Sequence, residues 1–218
     1  MSTIDKFLED LEKMKSKPGF TQKDLSISTS SGQLQMSLHG PKTFHTKMPI
    51  LIESVAKAAY NTKMLSALAR AKKPLSVIYT HDRSMLGGGR LYHPLPWYCL
   101  LCAKEVSQLM LLFNTLGYNE KIPFECMRGN KVIHMQEYDD VKFTLAHELY
   151  HLWDFVEPKS APKLGSLVRS MYSPPRLQAE CWATHYTNGW RYQEKRCVRN
   201  IYRFQGINHN VDSIRNYE

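Results

Sequence analysis

The chain has 218 residues, of which 43% are hydrophobic and 22% charged, with a formal net charge of +9 at pH 7. That is the balance of a soluble globular protein able to bury a core without staples, and no apolar run is long enough for a membrane span, which excludes a membrane-spanning class. The basic charge favours acidic proteins, nucleic acid or anionic lipid as neighbours and does not choose among them.

Ile4, Phe7, Leu8, Leu11 and Met14 recur at helical spacing and predict a short amphipathic helix over 3–15, ended by Lys17-Pro18-Gly19. Leu25 and Ile27, then Leu34, Met36 and Leu38, alternate around Ser30-Ser31-Gly32, which reads as a hairpin. Residues 1–47 are therefore taken as an N-terminal extension, and 48–218 as the main domain. One long helix is expected from about Pro49 to Lys72, and Leu75 to Thr80 as a buried strand. Gly87-Gly88-Gly89 lacks the following Lys-Ser/Thr of a phosphate loop and is expected to be a flexible connection near His81-Asp82-Arg83. Residues 97–115 are apolar and expected to be helical, with Cys99 and Cys102 as buried thiols. Lys131 to Gln136 alternates as a short strand, and Ser173-Pro174-Pro175 opens a final helix to about residue 199.

Between those last two elements lies Phe143-Thr-Leu-Ala-His147-Glu148-Leu-Tyr-His151, which spells His-Glu-x-x-His. Asp139 or Asp140 can cap its helix. At about 100° per residue, His147 and His151 share one face, while Val141, Leu149, Leu152, Trp153 and Val156 cluster around Leu145 on the other. Two histidines so placed can hold one zinc ion, and Glu148 can serve as general base on a water. A catalytic zinc takes a third protein ligand. Glu157 stands where a third ligand follows in motifs with an intervening glycine, but Asp154 occupies that glycine position. Glu180, early on the final helix, completes a His2Glu set of the thermolysin kind and is preferred.

The run from Phe143 to His151 resembles the signature of ImmA/IrrE-type metallopeptidases. Glu180, Ala183 and Tyr186 match the spacing of that family's downstream Glu-x-x-Ala-x-x-aromatic segment. The resemblance covers residues 139–187. It implies an α+β zincin-like fold, mostly helical with a small sheet, and an intracellular zinc peptidase whose third ligand is Glu180. Because several members cleave DNA-binding repressors, it also implies a DNA-associated regulator as substrate. Tyr150 departs from the small residue common before the second histidine, and Cys181-Trp182 is not typical of the family. A second similarity is to the mitochondrial processing peptidase that matures an ATP-synthase subunit, which shares His-Glu-x-x-His-x-x-Asp and a later Cys-Val-Arg, here Cys197-Val198-Arg199.

The expected activity is thus zinc-dependent endopeptidase hydrolysis of an intracellular protein or peptide, with Zn2+ on His147, His151 and Glu180. Tyr186 is the expected oxyanion donor, with His185 and His134 as the other sequence candidates. Substrate is expected to add along the 131–136 strand in extended form. The alternative is a non-enzymatic structural or nucleic-acid-associated protein, of viral origin among others, on a zincin scaffold. Arg191, Lys195, Arg196, Arg199 and Arg203 interleave with aromatic residues, as suits contact with nucleic acid or an acidic protein. A solvated helix with an aromatic core face is the favoured reading of that run. Five cysteines, an odd number, speak against a complete disulfide framework. The N-terminus has no apolar signal-peptide core, so thiols in a cytoplasmic setting, or in a virion interior, are the expectation.

Overall fold

A computed structural model describes residues 9, 12, 13, 15–79, 89–92, 109–113, 121–157, 175–204 and 207–218. Of the helix expected over 3–15, residues 9, 12, 13 and 15 are described and helical. The rest of it lies outside the described residues, as do His81-Asp82-Arg83, Gly87-Gly88, Cys99 and Cys102.

The architecture is mixed α+β. Strands β1 (Thr21–Thr29) and β2 (Gly32–Gly40) form the hairpin, joined by the two-residue link Ser30-Ser31. Gly32 has φ +114°, a conformation that side-chain-bearing residues rarely adopt. The register sets Leu25 opposite Met36 and Ile27 opposite Leu34, so the apolar residues share one face. Leu34, Met36 and Leu38 are buried there. The other face is polar, with Ser37 Oγ donating to Asp24 Oδ1 at 2.7 Å and Ser26 Oγ to Gln33 Oε1 at 2.6 Å.

The chain then enters α1 (Lys42–Lys57), a 3-10 turn (Ala59–Asn61) and α2 (Thr62–Arg70), where one helix from Pro49 was expected. Pro49 lies inside α1 instead of opening a helix. Its ring deletes the bond to the His45 carbonyl, a cost of about 3 kcal/mol. Phe44, Met48, Ile52 and Val55 offset it by burying a continuous stripe. The break comes at Ala58, which is extended at ψ 115°. Asn61 holds it by donating Nδ2–H to the Val55 carbonyl at 3.0 Å. Neither glycine nor proline marks the place.

Strand β3 (Leu75–Tyr79) is buried along its whole length and pairs in parallel with β2 on one side and β5 (Leu109–Phe113) on the other. The helix expected over 97–115 is corrected at this point: its described part is strand. A strand inside a parallel sheet is covered on both faces and so reads as an unbroken apolar run, without helical or alternating period. Strand β4 (Gly89–Tyr92) pairs antiparallel with β5, which completes a five-stranded sheet in the order β1-β2-β3-β5-β4. The hairpin expected as an extension is thus hydrogen-bonded into the same sheet as β3.

A second sheet, β7-β6-β8, is built from β6 (Ile122–Arg128), β7 (Lys131–Glu137) and β8 (Val198–Arg199). β9 (Ile201–Phe204) and β10 (Ile207–Asn210) form a ribbon. Helix α3 (Val141–Val156) follows β7, and α4 (Pro175–Gln193) precedes β8. The final helix therefore stops at Gln193, short of 199. Arg196 N–H returns to the Arg191 carbonyl at 2.8 Å, and Lys195 takes φ +57°. The basic run is consequently divided between a helix end and strands, and it forms no single solvated face. Arg191 is 4% exposed and paired with Asp139, while Lys195 and Arg196 are exposed.

The cysteine expectation is also corrected. Cys126 on β6 and Cys197 before β8 are joined as a disulfide, whereas Cys181 is a buried free thiol. The two paired residues lie 71 apart in sequence, so only the folded chain brings them together. Among the described residues no helix is long and apolar enough to cross a membrane.

Candidate metal centre

Asp140 caps α3, its carboxylate accepting from the Lys142 N–H at 3.1 Å. The helix is buried on more sides than its sequence pattern suggests. Phe143 packs edge-on against Trp190 at 4.7 Å between ring centroids, and Leu145, Ala146, Leu149 and Leu152 are enclosed. Helix α4 runs antiparallel alongside. Lys142 pairs with Glu194 at 2.5 Å, Asp139 with Arg191, and further along Trp153 packs on Trp182 at 6.0 Å. These contacts set the register in which Glu180 faces the two histidines.

The result is a triangle of ligand atoms. His151 Nε2 lies 3.0 Å from His147 Nε2 and 3.1 Å from Glu180 Oε2, and His147 Nε2 lies 3.3 Å from the same carboxylate oxygen. A tetrahedral ion with bonds of about 2.05 Å to nitrogen and oxygen needs ligands about 3.3 Å apart. The three side chains therefore fit a divalent metal ion, and two imidazoles with one carboxylate form a donor set of borderline softness. Among the described residues this is the group of histidine, cysteine and acidic side chains that can hold an ion.

The electrostatics suit the same role. Burial, foremost, lowers the pKa of His147 to about 4, against the opposing pull of Glu180 and with help from the His151 and Arg199 charges. A ring neutral at physiological pH keeps its lone pair for a metal. Burial alone would raise the Glu180 carboxyl. The charges and hydrogen bonds of His151 and His147 outweigh it and hold that group well below the usual carboxylate range.

Tyr150 occupies its place for a packing reason. It is 1% exposed, and its hydroxyl donates to Asn61 Oδ1 at 2.9 Å. The residue immediately before His151 thus anchors α3 to the break between α1 and α2. Glu157, the rival third ligand, is engaged elsewhere: Arg70 grips it with two bonds, Nε to Oε1 at 3.1 Å and Nη2 to Oε2 at 3.0 Å. Glu148 is 8% exposed on α3, next in the chain to His147.

The other sequence candidates have different surroundings. Tyr186 packs among Tyr150, Trp153 and Trp182, with ring centroids at 5.4, 5.8 and 5.0 Å, and burial raises its hydroxyl pKa. His185 Nδ1 lies 2.5 Å from Asp212 Oδ2, and the ring stacks on Tyr217, whose hydroxyl reaches both His185 and Asp212. That cluster ties the C-terminal 3-10 turn (Ile214–Tyr217) to α4. His134 has an exposed side chain and meets Asn200 Nδ2 at 3.2 Å. The sequence singled out Arg199 only within the basic run and the Cys-Val-Arg match, and it did not single out Asn188. Asn188 is fully buried on α4 and bonds both backbone groups of Arg199. An isolated asparagine within a helix gives no sequence signal for such a role.

Comparison with protein-family models, with curated proteins and with solved structures finds no match.

Proposed function

We propose that this protein is a zinc-dependent endopeptidase. The observation that carries the reading is the meeting of His147, His151 and Glu180 at ligand-to-ligand distances of 3.0–3.3 Å, from two helices cross-linked to hold that register. Zinc bound by these three side chains would supply Lewis acidity to the scissile carbonyl and to the attacking water. Glu148, in the general-base position of the motif, takes a proton from that water and passes it to the leaving amine. Across the reaction one water is consumed and the C–N bond breaks. The water oxygen stays on the carbonyl carbon, and the amine leaves with the proton that Glu148 carried.

Substrate is proposed to add at β4 in place of β7. Among the described strands β7 lies at the edge of the three-stranded sheet, whereas β4 lies at the edge of the five-stranded sheet and packs against α3. An extended peptide adding to β4 gains main-chain hydrogen bonds beside the helix that bears the histidines. A DNA-associated regulatory protein is the substrate class that the ImmA/IrrE resemblance supports.

The test is a search by mass spectrometry for new protein N-termini in cell lysate treated with the zinc-loaded protein or with Glu148→Gln. Termini formed by the wild type alone are the expected result. Identical profiles, with stoichiometric zinc in both proteins, would replace the peptidase with a metal-binding scaffold.

A further inference from the structure

We propose that Cys126–Cys197 is a thiol–disulfide exchange site, with Cys197 as the sulfur open to a small acidic thiol. The site lies outside the metal cluster and stands independently of the peptidase reading.

The two cysteines face each other across a ladder. β6 and β8 run antiparallel, with Phe124 opposite Arg199 and Glu125 opposite Val198. One further step sets Cys126 opposite Cys197, and their Cα atoms lie 4.4 Å apart. Directly opposed residues of a non-hydrogen-bonded pair stand about 4.5 Å apart. Cys197 is also held by contacts other than its own bond. Before it, the Arg196 N–H donates to the Arg191 carbonyl at 2.8 Å. After it, Asn188 bonds both backbone groups of Arg199, at 2.7 and 2.8 Å. Arg191 and Asn188 both belong to α4. The sulfurs of a reduced pair therefore stay adjacent, and the bond can re-form without a search by the chain.

The two sulfurs differ in access. Cys126 is 7% exposed, and Met135 Sδ lies 2.9 Å from its sulfur, against 3.8 Å from that of Cys197. Cys197 is half-buried and follows the exposed run Gln193 to Arg196. The sulfur that can be reached decides which sulfur leaves, so Cys197 takes the attack and Cys126 departs. The charge beside the opening suits an anionic attacker. Lys195 and Arg196 are exposed there, whereas Glu194 is paired with Lys142 at 2.5 Å. Cys181 is unlike either, a fully buried free thiol.

In the first step a thiolate RS⁻ bonds to Cys197 Sγ and the Cys126–Cys197 bond breaks. Its electron pair leaves on Cys126 Sγ, which takes a proton from water. A second RS⁻ bonds to the external sulfur of the mixed disulfide, forming RSSR and releasing Cys197 as thiolate. Two external thiols are oxidised and one protein disulfide is reduced. In the reverse direction Cys197 thiolate attacks RSSR, and Cys126 thiolate then displaces RS⁻ from Cys197. Opening the bond opens the loop of sequence separation 71 that encloses His147, His151 and Glu180.

The experiment exposes the full, oxidised chain to reduced glutathione in native buffer. Samples are quenched with acid at intervals, and the modified cysteines are mapped by mass spectrometry. Glutathione should appear on Cys197 with Cys126 as a thiol and Cys181 unmodified, and oxidised glutathione should then restore the bond. The double change Lys195→Gln with Arg196→Gln should keep the wild-type melting temperature. It should slow glutathione at least about threefold at low ionic strength and leave the rate with uncharged mercaptoethanol unchanged. Reaction only in urea that unfolds the chain would overturn the exchange site. Glutathione found mainly on Cys126 would overturn the assignment of Cys197. Equal glutathione rates in the two proteins would overturn the acidic thiol as its partner.

Discussion

At the scale of single residues, the choice between two glutamates separates the candidate site from its surroundings. Glu180 meets both histidines, whereas Glu157 is held by Arg70. Glu180→Ala should therefore abolish stoichiometric metal binding, and Glu157→Ala should retain it, as elemental analysis of the purified proteins would show. Removing Glu157 also breaks a partly exposed ion pair, which is worth at most about 1 kcal/mol. Tyr150→Phe should cost about 1–3 kcal/mol in chemical denaturation, because Asn61 Oδ1 loses its buried donor. Gly189 is a second such place. A Cβ there would lie 2.0 Å from the Tyr60 hydroxyl, so Gly189→Ala should destabilise by about 1–3 kcal/mol despite alanine's better helix propensity. A gain in stability would show that Tyr60 yields easily.

Helices α3 and α4 are the elements that make the site. Their register is held by Asp139 with Arg191, by Lys142 with Glu194 and by Phe143 with Trp190. The Arg191 guanidinium also lies over the Phe143 and Phe124 rings, at 4.2 and 5.1 Å from their centroids. Asp139→Ala leaves that cation buried without its partner and should cost about 3–5 kcal/mol, measured by urea denaturation. The pair's place in the core also explains why a basic stretch that suits nucleic acid in the sequence spends Arg191 on packing. The described part of 97–115 makes the complementary point. Leu109–Phe113 is apolar at every position, and only its neighbours β3 and β4 turn that run into a strand.

For the whole molecule, the disulfide and the candidate metal ligands lie on the same length of chain. Cys126 and Cys197 enclose His147, His151 and Glu180 within one loop of sequence separation 71. Closing a loop of that length restricts the unfolded chain by roughly 4 kcal/mol. Reduction, or the double change Cys126→Ala with Cys197→Ala, should lower unfolding free energy by up to about that amount in urea. An unchanged denaturation midpoint would mean that the bond contributes nothing. A metal ion held by His147, His151 and Glu180 would stabilise the folded chain separately. At an excess of about a thousandfold over its dissociation constant, added zinc should contribute about 4 kcal/mol in wild type and none in Glu180→Ala, read as a shift in melting temperature.

The sequence by itself determined the motif helix, the histidine pair and the preference for Glu180, because these follow from local periodicity and from the ligand demands of one ion; it narrowed the cap to Asp139 or Asp140, and the structure gives the role to Asp140. It also determined the hairpin and the strands β3 and β7, whose alternation or apolar run is bounded by turn residues. Tertiary structure alone decided the break at Ala58, the strand at Leu109–Phe113 and the place of Tyr186 in an aromatic cluster. It likewise decided the pairing of Cys126 with Cys197 and the clamp of Asn188 on Arg199. Each of these depends on a partner distant in the chain, and the side-chain pattern around a residue carries no record of what the fold will set against it.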